Sequence, residues 1–389
     1  MRNKLLIYVM ALAVFLIGTI EYIITGVIEM MAVDLNVTTS EVGLMVTVFA
    51  LSAAIVAPVL IALTIHMDRK KLLVTALSVF IASNGLMLLN LSYELLLAVR
   101  IIQGASGGIA TVVAMAVATR LVEPERRGNA IGIILMGLSS SLVLGVPAGT
   151  FFSERFGWRV LFIVIGILSL LPLMIISRKI PAIQEDKTVS LRMQLAVLKD
   201  SRIVTALAIT LFYVGGYSTL FTYITPYLQA ASSMSITEIS GVLFLAGICS
   251  FMGSKVGGQL ADTKGSQFTI WAGLLLQGAS LLLFTLAGVH ILVLILVLMI
   301  FMLATWSISP AQQLLLVTLV PRNPDIALSV NTSFIQFGFA LGSLLGGLVI
   351  SRTSVLNLNW VGLAAVGAAL VLAAFLFSRK SKAVASSLR

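Results

Sequence analysis

The sequence LLLAVRIIQGASGGIA at residues 95–110, followed by LGVPAGTFF at residues 144–152, decides the fold of this 389-residue chain. The first stretch is an apolar helix that carries a full charge at Arg100, and the second is an apolar helix interrupted by two glycines and a proline. A charge inside a membrane span costs roughly 2.5–3.5 kcal/mol on insertion scales, so we interpret Arg100 as part of a functional site. Glycine and proline in the neighbouring helix indicate close backbone packing or a bend.

The composition is that of an integral membrane protein. Apolar residues make up 59% of the chain and charged residues 10%, and the mean hydropathy is +1.10. Soluble domains are roughly 45–50% apolar and about 25% charged. One cysteine and two histidines offer no disulfide framework and no Cys/His metal site, so we expect neither metal nor cofactor.

Runs of apolar residues predict twelve membrane spans, numbered 1–12 in chain order, and hence an all-α membrane protein. In the first half they cover residues 5–31, 41–65, 72–92, 95–119, 129–152 and 159–177. In the second half they cover residues 203–229, 238–260, 268–288, 291–319, 326–350 and 360–378. Similar features recur in matching spans, which predicts two pseudo-symmetric six-helix bundles at 1–177 and 203–389, joined by a cytoplasmic linker at 178–202.

The basic residues predict the orientation of the chain in the membrane. An even number of spans places both termini on one side, and 20 of the 25 Lys and Arg residues lie on that side. By the positive-inside rule both termini are therefore cytoplasmic. The net charge of +10 is a topology signal, so we expect no nucleic-acid partner.

Glu21 is the predicted partner of Arg100. At ~1.5 Å per residue, Glu21 lies about 6 Å and Arg100 about 9 Å below the outer membrane boundary, so the two charges are level. Opposite charges at one depth are best placed facing each other in a cavity. A buried carboxyl beside a cation can be tuned to exchange protons near neutral pH, so we interpret Glu21 as a proton carrier. The alternative is a purely structural ion pair.

Five segments resemble the major facilitator superfamily, and more narrowly its twelve-helix drug–proton antiporter branch. RIIQGASGG (100–108) resembles the span-4 motif, and LGVPAGTFFSERFGWR (144–159) resembles the span-5 antiporter motif with the Gly-Trp-Arg that opens span 6. GTIEYIITG (18–26) is similar to a span-1 pattern with an intramembrane Glu. WSISPAQQ (306–313) and SVNTSFIQFGFALGSLLGG (329–347) continue the likeness. Together they look most like bacterial purine-base and nucleoside efflux pumps, with sugar-efflux and chloramphenicol-resistance exporters as close relatives.

The resemblance implies a proton-coupled exporter in the cell membrane that works as a monomer by alternating access. The substrate would be a small organic molecule such as a purine base, a nucleoside, a sugar or a drug. Protonation of Glu21 from outside would release Arg100 and let the two bundles rock. The sequence has no Gly-x-x-x-x-Gly-Lys-Ser/Thr motif for ATP and no nucleophile–His–acid set, so we expect no enzymatic activity.

Eight further residues are expected to act in gating or in close helix packing. They are Gln103, Gly104, Gly145, Pro147, Gly149, Asp262, Lys70 and Lys71. The loop between spans 2 and 3 departs from the family pattern, because His66 stands in place of its Asp and Arg69 in place of a Gly. The loop between spans 8 and 9 keeps more of that pattern.

Six residues of the second half are candidate substrate contacts. They are Tyr213, Tyr217, Phe221, Trp306, Gln312 and Asn331. Aromatic faces can stack on planar ligands, and uncharged amides can bind them at membrane depth. Ordinary helix–helix contacts and an interfacial aromatic belt explain the same residues equally well. The second half shows no clear intramembrane carboxylate, which favours a neutral or weakly polar substrate.

Two other functions remain open from the sequence. A proton-coupled symporter on the same fold would import its substrate, and the span-5 motif speaks against it. A membrane sensor that has lost transport would need neither Glu21 nor Arg100 in its spans.

Overall fold

A computed structural model describes residues 2–64, 67–123, 127–183, 196–285, 290–320 and 324–387. Every regular element in these ranges is a helix. Eleven of the helical segments are long and apolar enough to cross a membrane. The helix at the place of span 3, Arg69–Leu86, is the twelfth; it begins with three cations, which lower its hydropathy.

In the first half, the helices follow the predicted spans with shifts of a few residues at their ends. Span 1 comprises Arg2–Tyr22 and Ile24–Leu35, span 2 comprises Thr39–Leu51, Ser52–Val56 and Ala57–Leu63, and span 3 is Arg69–Leu86. Span 4 is Tyr93–Arg120, span 5 comprises Arg127–Ser140, Ser141–Gly145 and Val146–Phe156, and span 6 is Trp158–Lys179.

The second half repeats this order of helices. Span 7 comprises Ser201–Phe221 and Ile224–Ser232, span 8 is Ile236–Lys264, and span 9 is Ser266–Phe284. Span 10 is Ile291–Leu319, span 11 is Pro324–Arg352, and span 12 is Leu358–Ser387 after the short turn Val355–Asn357.

Spans 1 and 7 are each interrupted after a 21-residue helix. Hydropathy does not register such an interruption, because it is a local change of hydrogen bonding. In span 7, Pro226 has no N–H to donate to the carbonyl of Thr222, and the helix pauses at Thr222 and Tyr223. In span 1, Gly26 takes the corresponding place, and its N–H bonds back to Ile23 at 2.9 Å.

Spans 2 and 5 each contain one widened π-helical turn, at Ser52–Val56 and Ser141–Gly145. A proline follows each turn at the same spacing, Pro58 after the first and Pro147 after the second. Proline has no N–H to donate to the preceding turn of the helix. A π-helical turn at this place changes the hydrogen-bond pattern locally and bends the helix.

The chain forms two compact units. The first comprises Met1–Thr188, Ile224–Pro226 and Met234–Gly247, and the second comprises Val189–Tyr223, Tyr227–Ser233 and Ile248–Arg389. Within the first, span 1 packs mainly on spans 5 and 6; within the second, span 7 packs mainly on spans 11 and 12. Much of the predicted linker at 178–202 lies outside the described residues, and the bundle boundaries at 177 and 203 stay a prediction.

Candidate functional site

The guanidinium of Arg100 is fully buried in the first unit. Its Nε donates to the carbonyl of Met45 at 3.2 Å, and its Nη1 donates to the carbonyl of Ile20 at 3.1 Å. The same Nη1 also donates to Oε1 of Gln103 at 3.1 Å. Spans 1, 2 and 4 thus all supply acceptors to one cation, and all three acceptors are uncharged.

An aromatic ring of span 2 lies against the cation. The Cζ of Arg100 lies 4.4 Å from the centre of the Phe49 ring, a distance at which the ring face attracts a positive charge. Gly104 makes this possible, because a Cβ at that position would overlap the carbonyl oxygen of Phe49. The predicted role of Gly104 in close packing therefore has a definite contact to act through.

A chain of buried amides orients Arg100 from span 3. Asn84 is fully buried and donates from Nδ2 to the carbonyl of Phe80 at 2.8 Å. Its Oδ1 accepts a hydrogen bond from Nε2 of Gln103 at 3.2 Å, which leaves Oε1 of Gln103 for Arg100. Asn84 carries no functional signal in the sequence, because Asn-Gly near a helix end is typical of a turn.

Glu21 is the charge that acts on Arg100. It lies one residue after Ile20, whose carbonyl accepts from the guanidinium, and two residues before the break in span 1 at Ile23. Its carboxylate is close enough for an electrostatic interaction with the guanidinium. The Nη2 of Arg100 makes no hydrogen bond within the described residues, so its two N–H donors are left for a further acceptor.

The span-5 glycines pack directly on this part of span 1. A Cβ at Gly145 would overlap the hydroxyl of Thr19, and one at Gly149 would come within 2.6 Å of the Ile23 side chain. Pro147 lies between them, immediately after the π-helical turn. Two of the predicted packing residues of span 5 thus lie against span 1 at the residues two positions before and two positions after Glu21.

Three of the predicted substrate contacts cluster in the second unit. The ring of Tyr217 stacks on Phe221 with centroids 4.9 Å apart, and Trp306 meets it edge-on at 6.4 Å. Two rings absent from the predicted set complete this aromatic cluster: Phe301 stacks on Tyr217 at 5.9 Å, and Phe339 meets it edge-on at 5.6 Å.

The other three predicted contacts lie outside the aromatic cluster and make hydrogen bonds between helices. Oδ1 of Asn331 accepts from Thr210 at 2.8 Å, and Nε2 of Gln312 donates to the carbonyl of Ala206. The backbone carbonyl of Tyr213 accepts from Gln277 at 3.1 Å. These bonds are what helix packing at membrane depth requires, and the packing interpretation explains them.

The predicted gating residues of the loops lie at helix ends. Lys70 and Lys71 occupy the first turn of span 3, where Asp68 caps the helix by accepting from the N–H of Lys71 at 3.0 Å. Asp262 is exposed near the end of span 8 and belongs to the second unit. His66 lies outside the described residues.

Comparison with known proteins identifies the family. The model of the Major Facilitator Superfamily matches residues 10–325. The chain belongs to this superfamily. It is 36% identical over 382 residues to the uncharacterized MFS-type transporter YbcL of Bacillus subtilis, covering 98% of each chain. It is 26% identical over 356 residues to a probable sugar efflux transporter of Mannheimia succiniciproducens, covering 92% of this chain and 89% of the relative.

Solved structures show the same fold. A bacterial homologue of the human lysosomal transporter Spinster, in an inward-facing and occupied conformation, has a TM-score of 0.78 at 18% identity, with 97% of each chain covered. The nucleoside transporter NupG has a TM-score of 0.74 at 13% identity, with 97% of this chain and 99% of that chain covered. The protein is therefore a multi-pass membrane transporter of the major facilitator fold, and its bacterial relatives place it in the cell membrane.

Proposed function

We propose that this transporter is a proton-coupled exporter of a small uncharged organic molecule, in which Glu21 and Arg100 couple proton entry to substrate exit. The observation that carries the proposal is the fully buried guanidinium of Arg100, whose hydrogen bonds go to uncharged acceptors while the charge of Glu21 acts on it. A buried cation of this kind depends on a nearby anion, and so the charge state of Glu21 governs the energy of the whole site.

The proton step follows from this arrangement. While Glu21 is ionised, its negative charge offsets that of Arg100. A proton taken up by the carboxylate removes this compensation and leaves the cation with neutral carbonyl and amide acceptors only. Because Glu21 lies two residues before the break at Ile23, a change in its interaction with Arg100 can alter the angle between the two helices of span 1.

Three observations support the export direction and an uncharged substrate. One relative is named a probable sugar efflux transporter, and the span-5 sequence resembles an antiporter motif. The aromatic cluster of the second unit has no residue that is charged at neutral pH, which suits an uncharged molecule. We further propose that the protein works as a monomer with both termini in the cytoplasm, as the distribution of basic residues predicts.

Proton movement in everted membrane vesicles tests the proposal. The vesicle lumen is acidified, and a panel of purine bases, sugars and chloramphenicol is added one at a time. An exporter takes its substrate into the vesicle and releases a proton, so a lumenal pH dye should report alkalinisation with at least one probe. Glu21→Gln should abolish this signal.

Glu94→Gln is the matched control, because Glu94 is an exposed carboxylate at the start of span 4. It should give the wild-type signal. Uptake into right-side-out vesicles driven by an inward proton gradient would instead make the protein a symporter. A normal signal from Glu21→Gln would remove Glu21 from the coupling mechanism.

A further inference from the structure

Two buried polar atoms of the aromatic cluster lie beside each other without a well-formed hydrogen bond. They are the hydroxyl of Tyr217 and the indole Nε1 of Trp306, and within the described residues neither has a hydrogen bond of normal geometry, to the other or to a third group. Tyr217 as a whole is only 2% exposed. Buried polar groups are nearly always hydrogen-bonded, and water is scarce at membrane depth, so such a pair requires an explanation.

Other buried tyrosines of the second half are bonded in the ordinary way. The hydroxyl of Tyr223 donates to the carbonyl of Ser343 at 2.9 Å, and that of Tyr227 donates to the carbonyl of Phe284 at 3.4 Å. Both are buried to the same degree as Tyr217. The fold therefore supplies acceptors to buried tyrosines elsewhere, and their absence at Tyr217 is a local property of the aromatic cluster.

The chemistry of the two atoms defines what could bind there. An indole N–H can only donate a hydrogen bond, and a tyrosine hydroxyl without a partner also has a proton to donate. Around them stand the flat faces and edges of Phe221, Phe301 and Phe339, which favour a planar apolar surface and offer no opposite charge. Donors among aromatic rings match a flat, uncharged molecule with an acceptor at its edge.

We propose that Tyr217 and Trp306 form the hydrogen-bonding end of a ligand site in the second unit, which binds a planar uncharged molecule through a carbonyl oxygen or an unprotonated ring nitrogen. This site deepens the proposed function, because the ligand would be the transported substrate. Its existence can be tested by equilibrium binding alone, with no proton gradient.

The probes are caffeine and 1,3-dimethyluracil, which are flat and uncharged and carry acceptors but no N–H donor. Binding is measured by calorimetric titration of the detergent-solubilised full-length protein. We expect Tyr217→Phe and Trp306→Phe each to weaken binding about three- to tenfold, as the loss of one hydrogen bond requires. Replacing the indole of Trp306 by benzothiophene, which keeps the ring size and removes the N–H, should give the same loss.

Tyr223→Phe and Tyr227→Phe are the matched controls, since each removes a hydroxyl that already has a backbone partner. They should bind the probes within twofold of the wild type. The unfolding midpoint of every variant is recorded, and Tyr217→Phe, which removes only one oxygen, decides the matter where the Trp306 variants do not fold.

Three results would overturn the site: no binding of either probe by the wild type, equal binding by the donor variants, or equal weakening in the controls. Glu21→Gln separates this proposal from the previous one. It should still bind the probes, and adding Tyr217→Phe to it should weaken that binding by the same factor as in the wild type, even though the variant no longer couples to protons. A wild type that binds both probes but moves no protons would contradict the proposed function and leave the ligand site standing.

Discussion

Span 1 and span 7 have the same interrupted helix, but different side chains lie beside the interruption. Each begins with a 21-residue helix, pauses, and continues as a shorter helix. Glu21 is the second-to-last residue of the first helix in span 1, and Phe221 is the last residue of its counterpart in span 7. The break in the first unit thus lies beside a carboxylate that interacts electrostatically with Arg100, while the break in the second lies beside the aromatic cluster.

The supporting spans repeat this correspondence. Span 5 places Gly145 and Gly149 against span 1, and span 11 places Gly342 and Gly346 against span 7. Glycines let two backbones approach closely without a large apolar interface. One arrangement of helices can therefore hold a charge in one copy and a set of rings in the other, because glycines provide the close helix contacts in both.

The largest effect is expected from removing the buried cation of the first unit, since the aromatic cluster of the second unit has no such charge. Arg100→Met leaves Glu21 without its cation and removes the guanidinium hydrogen bonds to the carbonyls of Ile20 and Met45. We expect transport to be lost and the free energy of unfolding to fall by about 3–5 kcal/mol, as when one member of a buried ion pair is removed. Thermal unfolding in detergent and vesicle transport measure the two effects.

The double variant Arg100→Met with Glu21→Gln is the control for this change. It removes both charges, so most of the lost stability should return while proton coupling stays absent. A double variant that is no more stable than Arg100→Met would show that the two charges do not depend on each other.

A smaller effect should distinguish the two glycine contacts. A Cβ at Gly342 would overlap the backbone carbonyl of Gly215, whereas a Cβ at Gly145 would overlap the hydroxyl of Thr19, a side chain that can rotate. We expect Gly342→Ala to destabilise the protein by about 1–3 kcal/mol and Gly145→Ala by less, since a backbone cannot move aside as a side chain can. Thermal unfolding measures both.

Gly241→Ala serves as the reference for these glycines, because nothing lies within 4 Å of its Cβ position. Gly241 lies inside the helix Ile236–Lys264, so the substitution should raise the free energy of unfolding by about 0.5–1 kcal/mol through helix propensity alone. The reverse order, with Gly145→Ala more harmful than Gly342→Ala, would mean that span 1 tolerates less adjustment than span 7.

The smallest effect is expected from two buried asparagines, Asn84 in the first unit and Asn359 in the second. Asn84→Leu removes the acceptor that orients Gln103, so the bond from Arg100 to Gln103 loses its support. We expect proton-coupled transport to fall roughly five- to tenfold, the equivalent of about one hydrogen bond, with little change in probe binding. Initial rates of transport, with and without a proton gradient, measure this.

Asn359→Leu is the comparable change in the second unit, where the amide donates to an uncharged acceptor, the carbonyl of Leu281, at 3.5 Å. It should lower stability slightly and leave the proton dependence of transport unchanged. Equal changes in proton dependence from both variants would mean that Asn84 acts only through packing.

The sequence predicts much of this fold because apolar runs and buried charges are both easy to recognise. A charge is costly at membrane depth and is therefore rare there. Twelve apolar runs specify the spans, and the charges at Glu21 and Arg100 stand out against an apolar background. The structure places these two charges close enough to interact, while their role in coupling stays a proposal. The π-helical turns could have been found from the matching distance between Ser52 and Pro58 and between Ser141 and Pro147.

Other features leave no such mark in one sequence. Phe301 and Phe339 look like any core phenylalanine, since only the folded chain brings them to Tyr217. Gln312 and Asn331 carry the same amide groups whether they bind a ligand or a neighbouring helix. Which one they do depends on the acceptors and donors of spans that lie far away in the chain, and hydropathy contains no information on that.

The order of residues around Arg100 bears on how the protein is made. Ile20 and Met45, whose carbonyls accept from the guanidinium, both precede it in the chain and leave the ribosome before it. Span 4 therefore enters the membrane when its neighbours are already available to shelter its cation. A chain synthesised without its first helix would present that cation to lipid, and its fourth helix would insert poorly during biosynthesis.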